Sequence, residues 1–177
     1  MKKFSEKAFT LVELLIVIGI IGILAVTLMV SLNPAEAQKK SRDVQRIKDA
    51  VTLEGIVLSL INDNTVGFLA TAQTSSAKNT CTSTGDAAAA TSNWFGVDVC
   101  GYVKKLPIDP LNGKSSTVAG GGDTAVTLNY AVIISGGDYE INVRQESKSN
   151  AAKVAGDGGD AAAKYELFSN VGTLIVN

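Results

Sequence analysis

Chemistry in this chain has to run on carboxylates, hydroxyls or thiols, because histidine is absent. That removes imidazole general acid/base catalysis, histidine metal sites and Ser-His-Asp or Cys-His nucleophiles. Few carboxylates stand out by position. Glu13 is the single charge in an apolar run over residues 9–32. Asp109, Asp123, Asp138, Asp157 and Asp160 sit in or near turn-forming sequence. Hard oxygen donors of this kind suit calcium, and Asp157 and Asp160, in the Gly-rich stretch 155–160, are the candidate ligands. No calcium-loop spacing is evident, and Asp and Gly as plain turn formers are the competing reading. Glu140 and Glu146 lie in ordinary polar patterning and make no convincing acid/base pair. Gly120-Gly121-Gly122 does not join a strand to a helix, so it is not a phosphate loop. Nothing in the sequence supports an enzyme. Cys81 and Cys100, with 18 residues between them, are too few for a disulfide scaffold or a zinc site. Outside the cytoplasm they would form one bridge, contributing about 3 kcal/mol by closing the loop; the alternative is two buried free thiols.

The element that must position Glu13 is the apolar run itself. At 1.5 Å per residue, residues 9–32 span roughly 36 Å, enough to cross a hydrocarbon core of about 30 Å. The run is apolar on every face, as a helix in lipid requires. Three readings compete. A secretory signal peptide would use the small-x-small site at residues 35–37 and leave a mature chain starting at Gln38, but the run is far longer than the usual stretch of about 7–15 residues. A plain signal anchor leaves Glu13 unexplained. The third reading starts from the cost of a carboxylate at membrane depth, about 2.5–3.5 kcal/mol even on permissive scales. A cut before Phe9 would create an α-amine four residues from Glu13, positive near neutral pH. Within one subunit the two charges meet only loosely; the amine of one copy against Glu13 of its neighbour would offset the burial cost and fix axial register.

The stretch KAFTLVELLIVIGIIGILA, residues 7–25, resembles the class III signal and amino-terminal helix of type IV pilins and pseudopilins. The resemblance implies removal of a short basic leader by a prepilin peptidase, with cleavage between Ala8 and Phe9. It further implies N-methylation of Phe9 and a neighbour-neutralising role for Glu13. Ala8 stands where the family normally has Gly, which points to slower processing. The implied product is a homopolymeric type IV pilus filament at the cell surface. Its subunit would wait in the cytoplasmic membrane and be drawn out by an inner-membrane assembly platform. The alternatives are a pseudopilin of a type II secretion-type system, whose major subunits often hold one calcium in a carboxy-terminal loop, and a monomeric anchored or secreted binding domain. Whether such a fibre serves adhesion, motility or DNA uptake is not written in the sequence.

The expected fold class is α+β. Residues 1–8 read as leader, 9–32 as the membrane and assembly half of a long helix, 33–62 as its amphipathic half, and 63–177 as a globular domain. One helix over residues 9–62 would be roughly 80 Å long, weakened at Gly19 and Gly22 and kinked or broken at Pro34. Its outer half shows helical spacing at Val44, Ile47, Val51, Leu58 and Ile61, joined by Ala50, Leu53, Val57 and Leu60, and this broad face is expected to meet a sheet. Lys39, Lys40, Arg42, Arg46 and Lys48 read as a solvated face or as contacts to headgroups and acidic neighbours. Those five sit beyond the apolar run, opposite the three lysines of the leader, so the positive-inside rule gives no clean orientation; the leader motif decides it. Beyond Asp49 the balance turns acidic, 8 Lys and Arg against 12 Asp and Glu. The whole chain carries 16 basic and 17 acidic residues, which does not indicate a nucleic-acid binder.

Residues 66–93 read as a long Thr-, Ser- and Ala-rich loop, with Trp94-Phe95 as the apolar plug beneath it. Residues 97–103 fit a short strand or helical turn. The turn at residues 106–113, LPIDPLNG, is similar to the Leu-Pro-x-Asp-Pro entry to the sheet in many pilin-like domains. Residues 127–134 and 139–144 read as a hairpin around Ser135-Gly136-Gly137-Asp138. Residues 165–169 and 173–176 complete an antiparallel sheet of about four strands.

Overall fold

The fold comes from a computed structural model in which residues 9–63, 72–80, 93–122 and 124–170 are described. Ala8, Cys81, Asp123, the strand expected at 173–176 and most of the loop expected at 66–93 lie outside the described residues. The chain divides into two compact units, residues 1–38 and 39–177.

The first unit is built on α1, Leu11–Ser31. It has no buried residue and is long and apolar enough to cross a membrane. At 1.5 Å per residue its 21 residues span roughly 32 Å, matching a bilayer's hydrocarbon thickness. It runs through Gly19 and Gly22 as one element. The interruption falls instead at Asn33, whose φ is 42°, and α2 then opens at Pro34 and runs Pro34–Asn62. Asn tolerates this left-handed backbone better than most side chains, and Pro suits a first helical turn because its missing N–H would be orphaned anyway. The Asn33 side chain also accepts from the Glu36 N–H at 3.3 Å, capping the new helix. The long helix expected over residues 9–62 is therefore two.

The second unit is an α+β layer pair. A four-stranded antiparallel sheet has the order β1 (Gln73–Thr74), β4 (Tyr130–Ser135), β5 (Asp138–Val143), β6 (Tyr165–Phe168). The expected β4–β5 hairpin is present, with Ser135 opposite Asp138 around Gly136-Gly137. A separate ribbon pairs β2 (Ser115–Thr117) with β3 (Ala125–Thr127); the sequence reading missed it, along with β1. The Gly-rich loop follows a single turn of helix, α3 (Ala151–Val154), and leads into β6.

Strand alternation decides the core. Tyr130, Val132 and Ile134 of β4 and Tyr139, Ile141 and Val143 of β5 join Ala50, Leu53, Ile56, Val57 and Leu60 of α2 in one cluster. Trp94, Phe95, Val99 and Leu106 plug its side, as expected for the Trp-Phe pair. The chain around Val99 is turns, not strand. The helical face differs from the expected one. Val44, Val51 and Leu58 are exposed, because α2 turns Asp43, Arg46, Ala50, Leu53, Val57 and Leu60 inward. Two buried charges thus set the helix rotation that an apolar count alone placed elsewhere.

Those charges form an ion cluster between α2 and the sheet side. Arg46, fully buried, grips Asp109 through Nε at 2.7 Å and Nη2 at 3.0 Å, and reaches Asp43 and Glu146 through Nη1, each at 2.8 Å. Arg42 forks onto Glu146 at 2.7 and 3.1 Å. Asp43 accepts from the N–H groups of Glu146 and Ser147 and from the Asn150 amide, each at 2.8 Å. Asp109 also accepts from Leu111 N–H at 2.7 Å, so the Asp of the LPIDPLNG turn shapes the turn and clamps the helix at once. The expected solvated basic face is therefore corrected for Arg42 and Arg46: both point to the sheet side as hydrogen-bonded ions, while Lys40 and Lys48 stay exposed. Tyr130 Oη donates to Asp49 at 2.8 Å and Tyr139 Oη to Glu54 at 2.6 Å, adding two further ties. Burial, then the hydrogen bond to Glu54, pushes Tyr139 up to about 12.

Candidate functional site: the amino-terminal assembly segment

Phe9 is 84% exposed, ahead of the helix. Thr10 is the N-cap of α1, and Glu13 closes a capping box with it. Glu13 N–H donates to Thr10 Oγ1 at 3.2 Å, while Thr10 N–H and Oγ1 donate to Glu13 Oε2 at 3.1 and 2.9 Å. The T-x-x-E spacing is the sequence signal for this box, and it was missed. The carboxylate also sits in the first turn, where the helix dipole favours it. Glu13 is therefore not wholly without a partner in its own chain, as the apolar-run argument had it. Its Oε2 is used locally; its Oε1 accepts no hydrogen bond among the described residues. One carboxylate oxygen at the head of an exposed apolar helix remains open to a cation.

Residues 3–29 match the family model of the prokaryotic N-terminal methylation motif. The chain carries the class III signal of type IV pilins and pseudopilins. Its α+β arrangement, an apolar amino-terminal helix followed by a helix and a small antiparallel sheet, is like that of type IV pilins. The motif points to a structural subunit processed by prepilin peptidase and inserted in a membrane before assembly. No curated protein and no solved structure matches the chain significantly.

The remaining sequence candidates fall in the second unit. Cys100 is disulfide-bonded; Cys81 lies outside the described residues. Asp157 accepts from the N–H groups of Gly159 at 3.0 Å and Glu166 at 2.8 Å, which holds the Gly-rich loop onto β6. Asp160 instead gathers with Glu140 and Glu166, carboxylate oxygens lying within 4.8 Å of one another. Glu140 and Glu166 are buried on the sheet face away from α2; sequence reasoning weighed Glu140 only as half of an unconvincing acid/base pair and did not weigh Glu166. Period-two alternation in 139–144 was the available signal, since it places Glu140 opposite Tyr139 and Ile141. Glu166 Oε2 accepts from Ala161 N–H at 3.0 Å, and its Oε1 has no hydrogen-bond partner among the described residues. Burial, with the nearby Glu140, Asp160 and Asp157 charges, pushes Glu166 up against the pull of that N–H. Gly159 makes the arrangement possible: a Cβ there would lie 1.6 Å from Glu166 Oε2.

Proposed function

We propose that the chain is the structural subunit of a type IV pilus filament, cut before Phe9 and polymerised through α1. The observation that carries this reading is the head of α1. A helix with no buried residue carries in its first turn a carboxylate with one oxygen unused among the described residues, inside the methylation motif. A newly made Phe9 amine on one copy supplies the cation for Glu13 of the next. Because lipid is as apolar as a neighbouring helix, the gain on assembly comes from packing and from this pair rather than from the hydrophobic effect. In the mature fibre Cys81 and Cys100 form the bridge that holds the loop before Trp94. The test is electron microscopy of surface fibres from cells carrying wild type or Glu13→Ala, with mass analysis of the mature amino terminus. Methyl-Phe9 and loss of fibres in the variant support the reading. A mature chain starting elsewhere, or normal fibres built from the variant, overturns it.

A second reading, a secretion pseudopilin, is favoured by the acidic trio beneath the Gly-rich loop. Oxygen donors, a buried partnerless Glu166 oxygen and mutual carboxylate repulsion fit a hard divalent cation such as calcium. Glu140, Asp160 and Glu166 would hold it, and its charge would offset their mutual repulsion. Calorimetric titration of the full chain in detergent with calcium, for wild type and Glu166→Gln, tests this. Binding lost in the variant, together with fibres confined to short stubs, favours the pseudopilin; absent calcium binding removes its support.

A further inference from the structure

Next to the acidic trio, and sharing its Asp160, the second unit has a groove of about 380 Å³ lined by Gly120, Arg144, Asp160, Ala161–Ala163 and Lys164. Arg144 follows the last residue of β5 and is partly buried in it. Every other arginine of the second unit is forked onto carboxylates, as Arg42 and Arg46 are. The Arg144 guanidinium has no ion pair and no hydrogen bond among the described residues. Five N–H donors are thus partly withdrawn from water without an acceptor, an arrangement that costs free energy unless a ligand supplies one. Lys164 shares the groove; burial and the Arg144 charge push it down, against the pull of Glu166, Glu140 and Asp160. No acid pulls on Arg144 in this way; burial pushes it down.

The lining explains what could reach it. Gly120 has φ 75°, and a Cβ there would meet the Ala162 carbonyl oxygen at 2.3 Å. The glycine lets the two loops close the groove floor, and the three alanines leave the guanidinium uncovered by long side chains. The volume lies at the small end of ligand pockets, about 300–1,000 Å³, and suits a sugar-sized molecule better than a free ion. The planar fork matches a carboxylate bidentately. Asp160 also lines the groove and repels an acid, so the ligand's charge goes to Arg144 and the rest of it is neutral and hydroxyl-bearing.

We propose that this groove binds a carboxylate-bearing, monosaccharide-sized ligand of the uronic acid class, with Arg144 as the carboxylate anchor. The test is calorimetric titration of the full chain in detergent micelles with glucuronate, and with glucose as the uncharged comparison. Saturable glucuronate binding is expected, at least tenfold tighter than glucose, weakened at least tenfold by Arg144→Gln and unaffected by Lys48→Gln on α2. Arg144→Lys keeps the charge without the fork, and is expected to fall between the two. It also covers the case in which Arg144→Gln fails to fold. Glucuronate binding no tighter than glucose, or unchanged affinity in whichever Arg144 variant folds, overturns the assignment.

Discussion

Replacing Arg46 with methionine removes the one cation common to Asp43, Asp109 and Glu146. Arg46 and all three acids are at most 2% exposed, so the carboxylates left behind have little water to recruit. Arg42 still holds Glu146, and backbone N–H groups still serve Asp43 and Asp109, but none of them carries Arg46's four hydrogen bonds. Taking one partner from a buried pair typically costs about 3–5 kcal/mol, because an uncompensated charge stays behind. For a unit of this size that corresponds to a fall in Tm of roughly 10–15 °C. The assay is thermal unfolding of the full chain in detergent, followed by fluorescence of Trp94. It is the only tryptophan and packs in the core beside the clamp's turn, its Nε1 donating to Pro107 O at 3.1 Å. Lys48→Met, on the exposed side of the same helix, is the comparison and should change stability by no more than about 0.5 kcal/mol. An Arg46→Met loss below about 1 kcal/mol would refute the reasoning, since the cluster would then be neutral bookkeeping between desolvation and attraction.

The same cluster sets a pH response. Burial alone would raise Glu146, but hydrogen bonds from Arg42, Arg46 and Ser116 and the Arg46 charge hold it at about 2, below its ordinary 4.5. A depressed folded-state value stabilises the fold above the unfolded value and loses that stability as pH falls through the folded one. The contribution, on the order of 3 kcal/mol, should be full above about pH 5 and gone near pH 2. Denaturant titrations at stepped pH check it, and the decline should shrink in Arg46→Met. Gly159→Ala places a Cβ on Glu166 Oε2 and should lower stability by about 1–3 kcal/mol, whereas Gly55→Ala in α2, where nothing lies within 4 Å, should raise it by up to about 1 kcal/mol. Melting curves of the two alanine variants decide both.

What could be read from the sequence depended on how far apart the partners lie. The methylation motif, the membrane-length helix, the β4–β5 hairpin and the Trp94-Phe95 plug are each local, so spacing and residue type were enough to place them. The break before α2 was legible in Pro34, though its location at Asn33 needed the backbone. The helix rotation was not legible. Val44, Val51 and Leu58 are as apolar as the residues that replaced them in the core, and period alone cannot rank two overlapping stripes. The ranking came from Arg46, whose partners lie 63 and 100 residues away. At three-residue spacing, Asp43 and Arg46 look like an ordinary exposed pair.

The ion clamp gives that rotation a consequence. With Arg42 and Arg46 held inward by acids on the LPIDPLNG turn and after β5, and Asp43 by the N–H groups of Glu146 and Ser147, α2 has to present Val44, Val51 and Leu58 outward. An apolar register would have placed all three in the core and left the charges in water. Burying an ion cluster is weak support for stability compared with apolar packing, so its use here is better understood as fixing orientation. Asp109 and Glu146, from two separate parts of the unit, must agree on the position of one guanidinium, and an apolar contact at the same place would tolerate a shift by one residue along the helix. The Arg46→Met variant separates the two roles: if the cluster serves orientation, the variant should also change which of Val44 and Ala50 a cysteine substitution leaves accessible to a thiol reagent. Unchanged labelling, with Val44 reactive and Ala50 protected, would leave the clamp a stability element and nothing more.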